Sequence, residues 1–334
     1  MKNKKISWKP TSKVKDLVKR SKIFFKIRKF FYKKNFIELD TPLLSQFQVN
    51  EYYLDQFKTK FFLNDNKKKN SFNKNYWLNT SPEYHMKRFL SYDKKNNSIY
   101  QICKSFRNNE CGTLHNPEFT ILEWYRPNYN IYDLMKEINE FLIIVFKFPQ
   151  SVRYSYKKIF QKYLDIDPLT CKKKYLKNKI IELKHCHLIK DNFLNKNDLL
   201  EILFMIGIEP YLGKKFPIFI YNYPSDQALM SKINKKNKKV CERFELFFKG
   251  IELGNGFYEL SNYVEQKERF LKNNIKRKKN NIKERKIDNF FLCSLKTKNF
   301  PKCSGVALGL DRLIMLFLKK TNIKNVLSFS IENC

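Results

Sequence analysis

The sequence predicts an α+β fold assembled from hairpin-forming strands and separate helices, and three stretches carry that prediction. Residues 13–34 place Leu17, Phe24, Ile27 and Phe31 at the three-to-four spacing of an amphipathic helix. Residues 100–107 and 117–125 both read as strands, so residues 108–116 become the loop of a hairpin with Arg107 at its mouth. Near the end, the small-residue strand 305–309 runs into a helix at 310–317.

The other elements follow in chain order. After the first helix, residues 36–40 read as a strand stopped at Thr41-Pro42, because proline lacks a ladder donor and restricts the residue before it. Residues 53–63 and 76–79 read as short strands around a polar connection at 64–75. A helix begins after Ser81, with that serine as the expected N-cap. Helices are expected at 131–148 and 198–206, inside a mainly helical region at about 150–210, and a strand at 217–224. Gly254-Asn255-Gly256 carries the Asn-Gly signal of a tight hairpin between 244–253 and 257–260. A lysine-rich helix is expected at 265–286. The organisation is a short extension, 1–12, before one domain, 13–334, with no internal repeat.

A hydrophobic share of 43% supports a buried core and excludes a disordered tail protein. Lys+Arg 67 against Asp+Glu 32 gives a formal charge of +35, which raises the question of a polyanionic partner. The lysines are spread widely, with clusters at 67–69, 172–174, 235–239 and 276–286, and Asn, Ile, Phe and Tyr are abundant beside them. That pattern reads as a composition-biased, solvated surface rather than a nucleic-acid groove. The eight cysteines form no CxxC pair, so reduced thiols are expected. His185-Cys186-His187 lacks a second ligand pair at zinc-finger spacing. No stretch reaches the roughly 20 apolar residues of a membrane span, and a soluble, cytoplasmic protein is expected.

On the strand 117–125, period-two geometry puts Phe119, Glu123 and Tyr125 on one face. Glu252 and Glu259 flank the expected Asn-Gly turn, where a hairpin would bring two carboxylates together to bind Mg²⁺ with phosphate oxygens. Arg107 and Arg312 offer guanidinium forks for phosphate, and Phe119 offers a face for a base. Read singly, each is an ordinary surface or packing residue. The P-loop and the GxGxxG fingerprint are both absent.

In order, NFIELDTPLL, SFRNNECGTLHNPEFTILEWY and GVALGLDRL resemble motifs 1, 2 and 3 of class II aminoacyl-tRNA synthetases, in the lysyl branch. The resemblance covers residue 13 to the C-terminus and implies a class II antiparallel sheet flanked by helices, with motif 1 at a homodimer interface. Motif 1 begins so early that an anticodon-binding domain is not expected before it, and neither is tRNA anticodon binding. The chain therefore resembles the truncated paralogues that act as elongation factor P (R)-β-lysine ligases. WKPTS, LNTSPEYHMKR and RFELFFKGIELGNGFYEL also match that group.

The resemblance implies activation of (R)-β-lysine by ATP, with Mg²⁺, to an adenylate, then transfer to a lysine ε-amine of elongation factor P. It assigns ATP to Arg107, Asn108, Asn109, His115, Asn116, Phe119, Glu252, Leu253, Gly309 and Arg312, with Phe119 and Arg312 sandwiching adenine and Glu252 and Glu259 near Mg²⁺. Arg107, Glu252, Glu259 and Arg312 form its catalytic set. It assigns the amino acid to Ser81, Pro82, Glu83, Glu123, Tyr125, Asn255, Glu259 and Ala307. Alanine at 307 favours the ligases over the synthetases, which have glycine there. A dicationic substrate independently calls for buried carboxylates. Asn109 departs from the group's pattern, which has glutamate; here glutamate falls one place later, at Glu110. Two alternatives stay open: a truncated synthetase-like enzyme using α-lysine, and a non-catalytic paralogue binding an amino acid or nucleic acid.

Overall fold

The computed structural model describes residues 8–52, 54–63, 72–189 and 194–334. Residues 1–7 of the expected extension 1–12, residue 53, residues 64–71 of the polar connection with its lysines 67–69, and residues 190–193 lie outside the described residues. The chain divides into two compact units: residues 1–127, 261–302 and 307–334, and residues 128–260 with 303–306.

The first unit begins with α1 (Val14–Lys33), whose inner face buries Ile23, Ile27, Phe30 and Phe31. β1 (Ile37–Glu38), β2 (Leu44–Ser45), β3 (Lys58–Leu63), β4 (Phe72–Leu78) and α2 (Glu83–Tyr92) follow, then β5 (Ile99–Phe106) and β6 (Glu118–Pro127). β2, β4 and β3 form a small antiparallel sheet. β5 and β6 pair antiparallel in the register Cys103↔Ile121, while β1 joins β5 in parallel. The β6 face opposite Phe119, Glu123 and Tyr125 packs on α1, where Trp124 meets Phe31 edge-to-face at 5.3 Å. Aromatic surface of this size supplies much of the burial that fixes which face of the strand looks outward.

The second unit contains α3 (Ile131–Phe146), β7 (Val152–Ser155), α4 (Tyr156–Leu164), α5 (Lys173–Glu182), α6 (Lys196–Gly207), β8 (Ile218–Tyr221), β9 (Arg243–Phe248) and β10 (Ile251–Tyr258). Asn130 and Asn195 start α3 and α6 with capping boxes, each closed by an aspartate three residues on. β7 pairs parallel with β8; β8 with β9 and β9 with β10 are antiparallel. The helical region packs Tyr156, Phe160, Leu199, Leu203 and Phe204 against Ile218, Ile220 and Phe247 of these strands.

The chain closes with α7 (Tyr263–Lys279), α8 (Asn289–Lys296), β11 (Cys303–Gly309) and α9 (Leu310–Phe317). α8 was not among the expected elements. The lysine-rich helix stops at Lys279, short of the expected 286.

 Asn281 stands at φ 55, a left-handed conformation that ends the helix there. The basic run 276–286 is not all solvated surface. Arg277 and Arg285 are buried and donate to backbone carbonyls of residues 49–54: Arg277 to Tyr52 at 3.0 Å, and Arg285 to Val49 at 2.6 Å and Glu51 at 2.7 Å. Burial, with Arg277 nearby, lowers the Arg285 pKa to about 10. Ser81 is not the N-cap of α2, which is Pro82; its Oγ accepts from the Glu83 amide at 3.4 Å.

The expected Asn-Gly hairpin is not formed. Gly254, Asn255 and Gly256 lie inside the single strand β10, and the chain reverses at Lys249 (φ 54) and Gly250 (φ 71), between the partners Phe248 and Ile251. Two consecutive left-handed residues make the turn that suits a hairpin's twist. Gly256 serves packing instead: a Cβ there would lie 2.3 Å from the Phe244 ring. Among the described residues, no helix is long and apolar enough to cross a membrane.

Candidate active site

In the first unit, the β5–β6 hairpin brings together most of the residues expected to hold ATP. The Arg107 amide donates to Pro117 O at 2.9 Å and closes the hairpin mouth. Its guanidinium lies over the Phe119 ring at 5.1 Å. Glu110 Oε1 is 3.8 Å from Arg107 Nη1, and Glu110 Oε2 is 4.0 Å from His115 Nε2. Arg312 reaches the same loop from α9, with Nε donating to Leu114 O at 3.2 Å and Nη2 lying 2.7 Å from His115 Nε2. The ring expected to sandwich adenine with Arg312 is thus covered by the Arg107 guanidinium.

Arg312 is aimed by its neighbour. Asp311 is buried at the start of α9, accepts from the Thr120 amide of β6 at 2.6 Å and pairs with Arg20 of α1 at 2.6 Å. One carboxylate therefore ties three elements together beneath the loop. Gly309 is the N-cap of α9, and Ala307 lies two residues earlier in β11. Asn116 is committed to structure: Nδ2 donates to Glu118 O at 2.6 Å, and Oδ1 accepts from the Ile331 amide at 3.0 Å. Asn108 and Asn109 both donate to Asp55, at 2.9 and 3.2 Å.

The amino-acid residues of this unit are buried acids with defined partners. Tyr125 donates through its hydroxyl to Glu123 Oε1 at 2.6 Å, the contact that two residues on one strand face can make. Glu83 accepts from Lys87, one turn along α2, at 2.6 Å, and that lysine is 1% exposed. Ser81 and Pro82 form the turn that starts this helix. A cavity of about 560 Å³, lined by Arg20, Phe24, Thr120 and Phe329, lies on the α1 side of β6, away from Glu123 and Tyr125.

In the second unit, β9 and β10 carry the remaining expected residues. A bulge between Glu252 and Gly254 puts Glu252 opposite Phe247 and Asn255 opposite Glu245, so Glu252, Asn255 and Glu245 share a face despite the odd spacing of the first two. Leu253, at the bulge, is buried. Glu252 and Glu259 do not flank a turn: Glu252 lies in β10 before the bulge, and Glu259 directly follows the end of that same strand. Glu259 is itself 1% exposed.

Glu245 is the acid beside Glu252. It pairs with Arg243 and accepts from the Tyr223 hydroxyl at 2.6 Å. Burial raises its pKa to about 7, with Arg243 opposing and Glu252 adding to the rise. Arg243 also donates to Asn255 Oδ1 at 3.2 Å, which fixes that amide. Two oxygen-donor side chains that repel each other when ionised are a suitable donor set for a hard divalent cation. Sequence reasoning missed Glu245, Arg243, Lys87, Asp311 and Asp55. The first two stand in RFELFF with a period-two spacing, the one signal that would have flagged them.

The family described as class II tRNA synthetases (D, K and N) matches residues 1–333. Along nearly its whole length the chain is also similar to proteins named elongation factor P (R)-β-lysine ligase. That of Buchnera aphidicola from Schizaphis graminum is 49% identical, over 98% of this chain and 99% of the relative. That of Salmonella arizonae is 42% identical, over 98% of each. Hamiltonella defensa supplies another at 41%, again over 98% of each. The chain belongs to the class II tRNA synthetases and, within them, to the group that these relatives form.

Proposed function

We propose that the protein is an ATP-dependent ligase that activates (R)-β-lysine and attaches it to a lysine side chain of elongation factor P. The observation that carries this reading is the pairing of buried Glu123 with Tyr125 on the hairpin whose mouth holds Arg107, in a chain so similar to the named ligases. A carboxylate oxygen of the amino acid attacks the α-phosphorus of ATP and pyrophosphate leaves. The neutral ε-amine of the acceptor then attacks the carbonyl carbon of the adenylate; AMP leaves, the nitrogen loses a proton and an amide forms.

The chain's residues act here by positioning and electrostatics. Arg107 neutralises the α-phosphate, His115 and Arg312 hold the outer phosphates and base, and Phe119 stacks on adenine once Arg107 turns toward phosphate. Asn108, Asn109, Asn116 and Gly309 shape that loop and helix start. Glu123, Tyr125 and Glu83 accept hydrogen bonds from the substrate's ammonium groups, with Ser81 and Pro82 fixing the turn and Ala307 limiting room at the strand. On the resemblance alone, Glu259 and Asn255 belong to the amino-acid set and Leu253 to the nucleotide set. Glu252, joined by Glu245, would hold Mg²⁺, which when bound offsets phosphate charge. The stripe Val14, Val18, Phe25 and Tyr32, exposed along one side of α1, supports a homodimer through this helix.

Amino-acid-dependent ATP–pyrophosphate exchange tests the activation step. β-Lysine is expected to give a kcat/KM about tenfold or more above α-lysine. Preference for α-lysine would favour the synthetase-like alternative.

A further inference from the structure

The loop after β5 is anchored by a residue outside the three motifs. Asp55 O accepts from the Asn108 amide at 3.0 Å. Its Oδ2 accepts from the side chains of Asn108 at 2.9 Å and Asn109 at 3.2 Å, while Oδ1 accepts from the Gln56 amide at 3.0 Å. The segment leading to Asp55 is itself pinned by Arg277 and Arg285 through carbonyls of Val49, Glu51, Tyr52 and Leu54. Asp55 therefore holds the loop from a fixed point. Asn109 has φ 64, a left-handed conformation that asparagine and aspartate tolerate better than glutamate.

This arrangement gives Asn109 a physical reason. A carboxylate at 109 would stand against the carboxylate of Asp55, whereas the amide donates to it. Glu110, the next residue, instead places its carboxylate beside Arg107 and His115. We infer that Asp55 and Asn109 are a matched positioning pair, acid against amide, that sets the loop bearing Arg107 and Glu110 for ATP. The inference rests on the reading of this loop as an ATP-binding loop.

A double-substitution cycle on the full chain tests it, using N109D because aspartate keeps the backbone conformation and changes the donor into an anion. N109D should raise the KM for ATP in the exchange reaction about fivefold, with the β-lysine KM changed by less than about twofold. D55N alone, which removes the oxygen that accepts from both asparagines, should also raise the ATP KM severalfold, and D55N/N109D should return it to less than half of the rise that the two single effects predict together. An unchanged ATP KM in N109D, or an equal rise with and without D55N, would overturn the inference. Thermal unfolding of the same four proteins separates it from the functional reading. If wild type shows no exchange, that reading fails, while a Tm lowered by about 2 °C in N109D and restored in D55N/N109D still supports the pair. Absence of that restoration overturns it, and a coupled Tm with an unmoved ATP KM reduces the pair to a structural contact and overturns its role in positioning ATP.

Discussion

Glu245 stands between a guanidinium and a second carboxylate, and its burial makes it sensitive to pH near neutrality. In the folded protein it keeps its proton up to about pH 7, against an ordinary value of 4.5. A raised carboxylate pKa means that the folded state binds the proton more tightly than the unfolded one. Its contribution to stability is therefore complete below about pH 4.5 and is lost as pH rises to about 7. A divalent cation competes with that proton. Mg²⁺ affinity measured by calorimetry is expected to rise several-fold from pH 6 to pH 8, and E245Q should flatten the rise. An equally steep rise in E245Q would remove Glu245 from the metal site. Arg107, Phe119, Glu123 and Tyr125 were legible in the sequence because one regular hairpin fixes their spacing. Glu245 and Asp55 were not, because their importance arises from neighbours on other strands and loops.

At the scale of elements, the helix α1 and the hairpin β5–β6 were readable from periodicity, since one long buried face dominates each. The β9–β10 turn was not. Asn-Gly at 255–256 is a strong local signal, but the Phe244 ring takes the space above Gly256 and leaves Lys249-Gly250 to form the turn. Tertiary packing overrode turn propensity there. α7 was overextended for a related reason: two arginines of the basic run point inward and hold the 49–54 segment. α1 offers a prediction of its own. Val14, Val18, Phe25 and Tyr32 recur at intervals of four and seven on the side opposite its buried face. Sedimentation should find a dimer, and F25E/Y32E should weaken it about 100-fold or more while α1 keeps its inner packing. A monomer at micromolar wild-type concentration would contradict the dimer.

Across the whole molecule, the formal charge of +35 is the feature least explained by the site itself. Most of the basic residues are exposed, and a surface of one sign speeds encounter with an acidic partner more than it strengthens close contacts. Transfer to elongation factor P, taken here as the acidic acceptor, should slow about tenfold or more between 50 and 300 mM salt, whereas adenylate formation should change much less. Equal sensitivity of the two steps would assign the charge to solubility alone.

The central claim is the identity of the acceptor. Radiolabelled β-lysine, ATP and Mg²⁺ should be incubated with the protein and either elongation factor P or a lysine-accepting tRNA, with R107A as the inactive control. The account predicts ATP-dependent label on elongation factor P, lost when its acceptor lysine is replaced by arginine, and none on tRNA. Label on tRNA and not on the factor would contradict it.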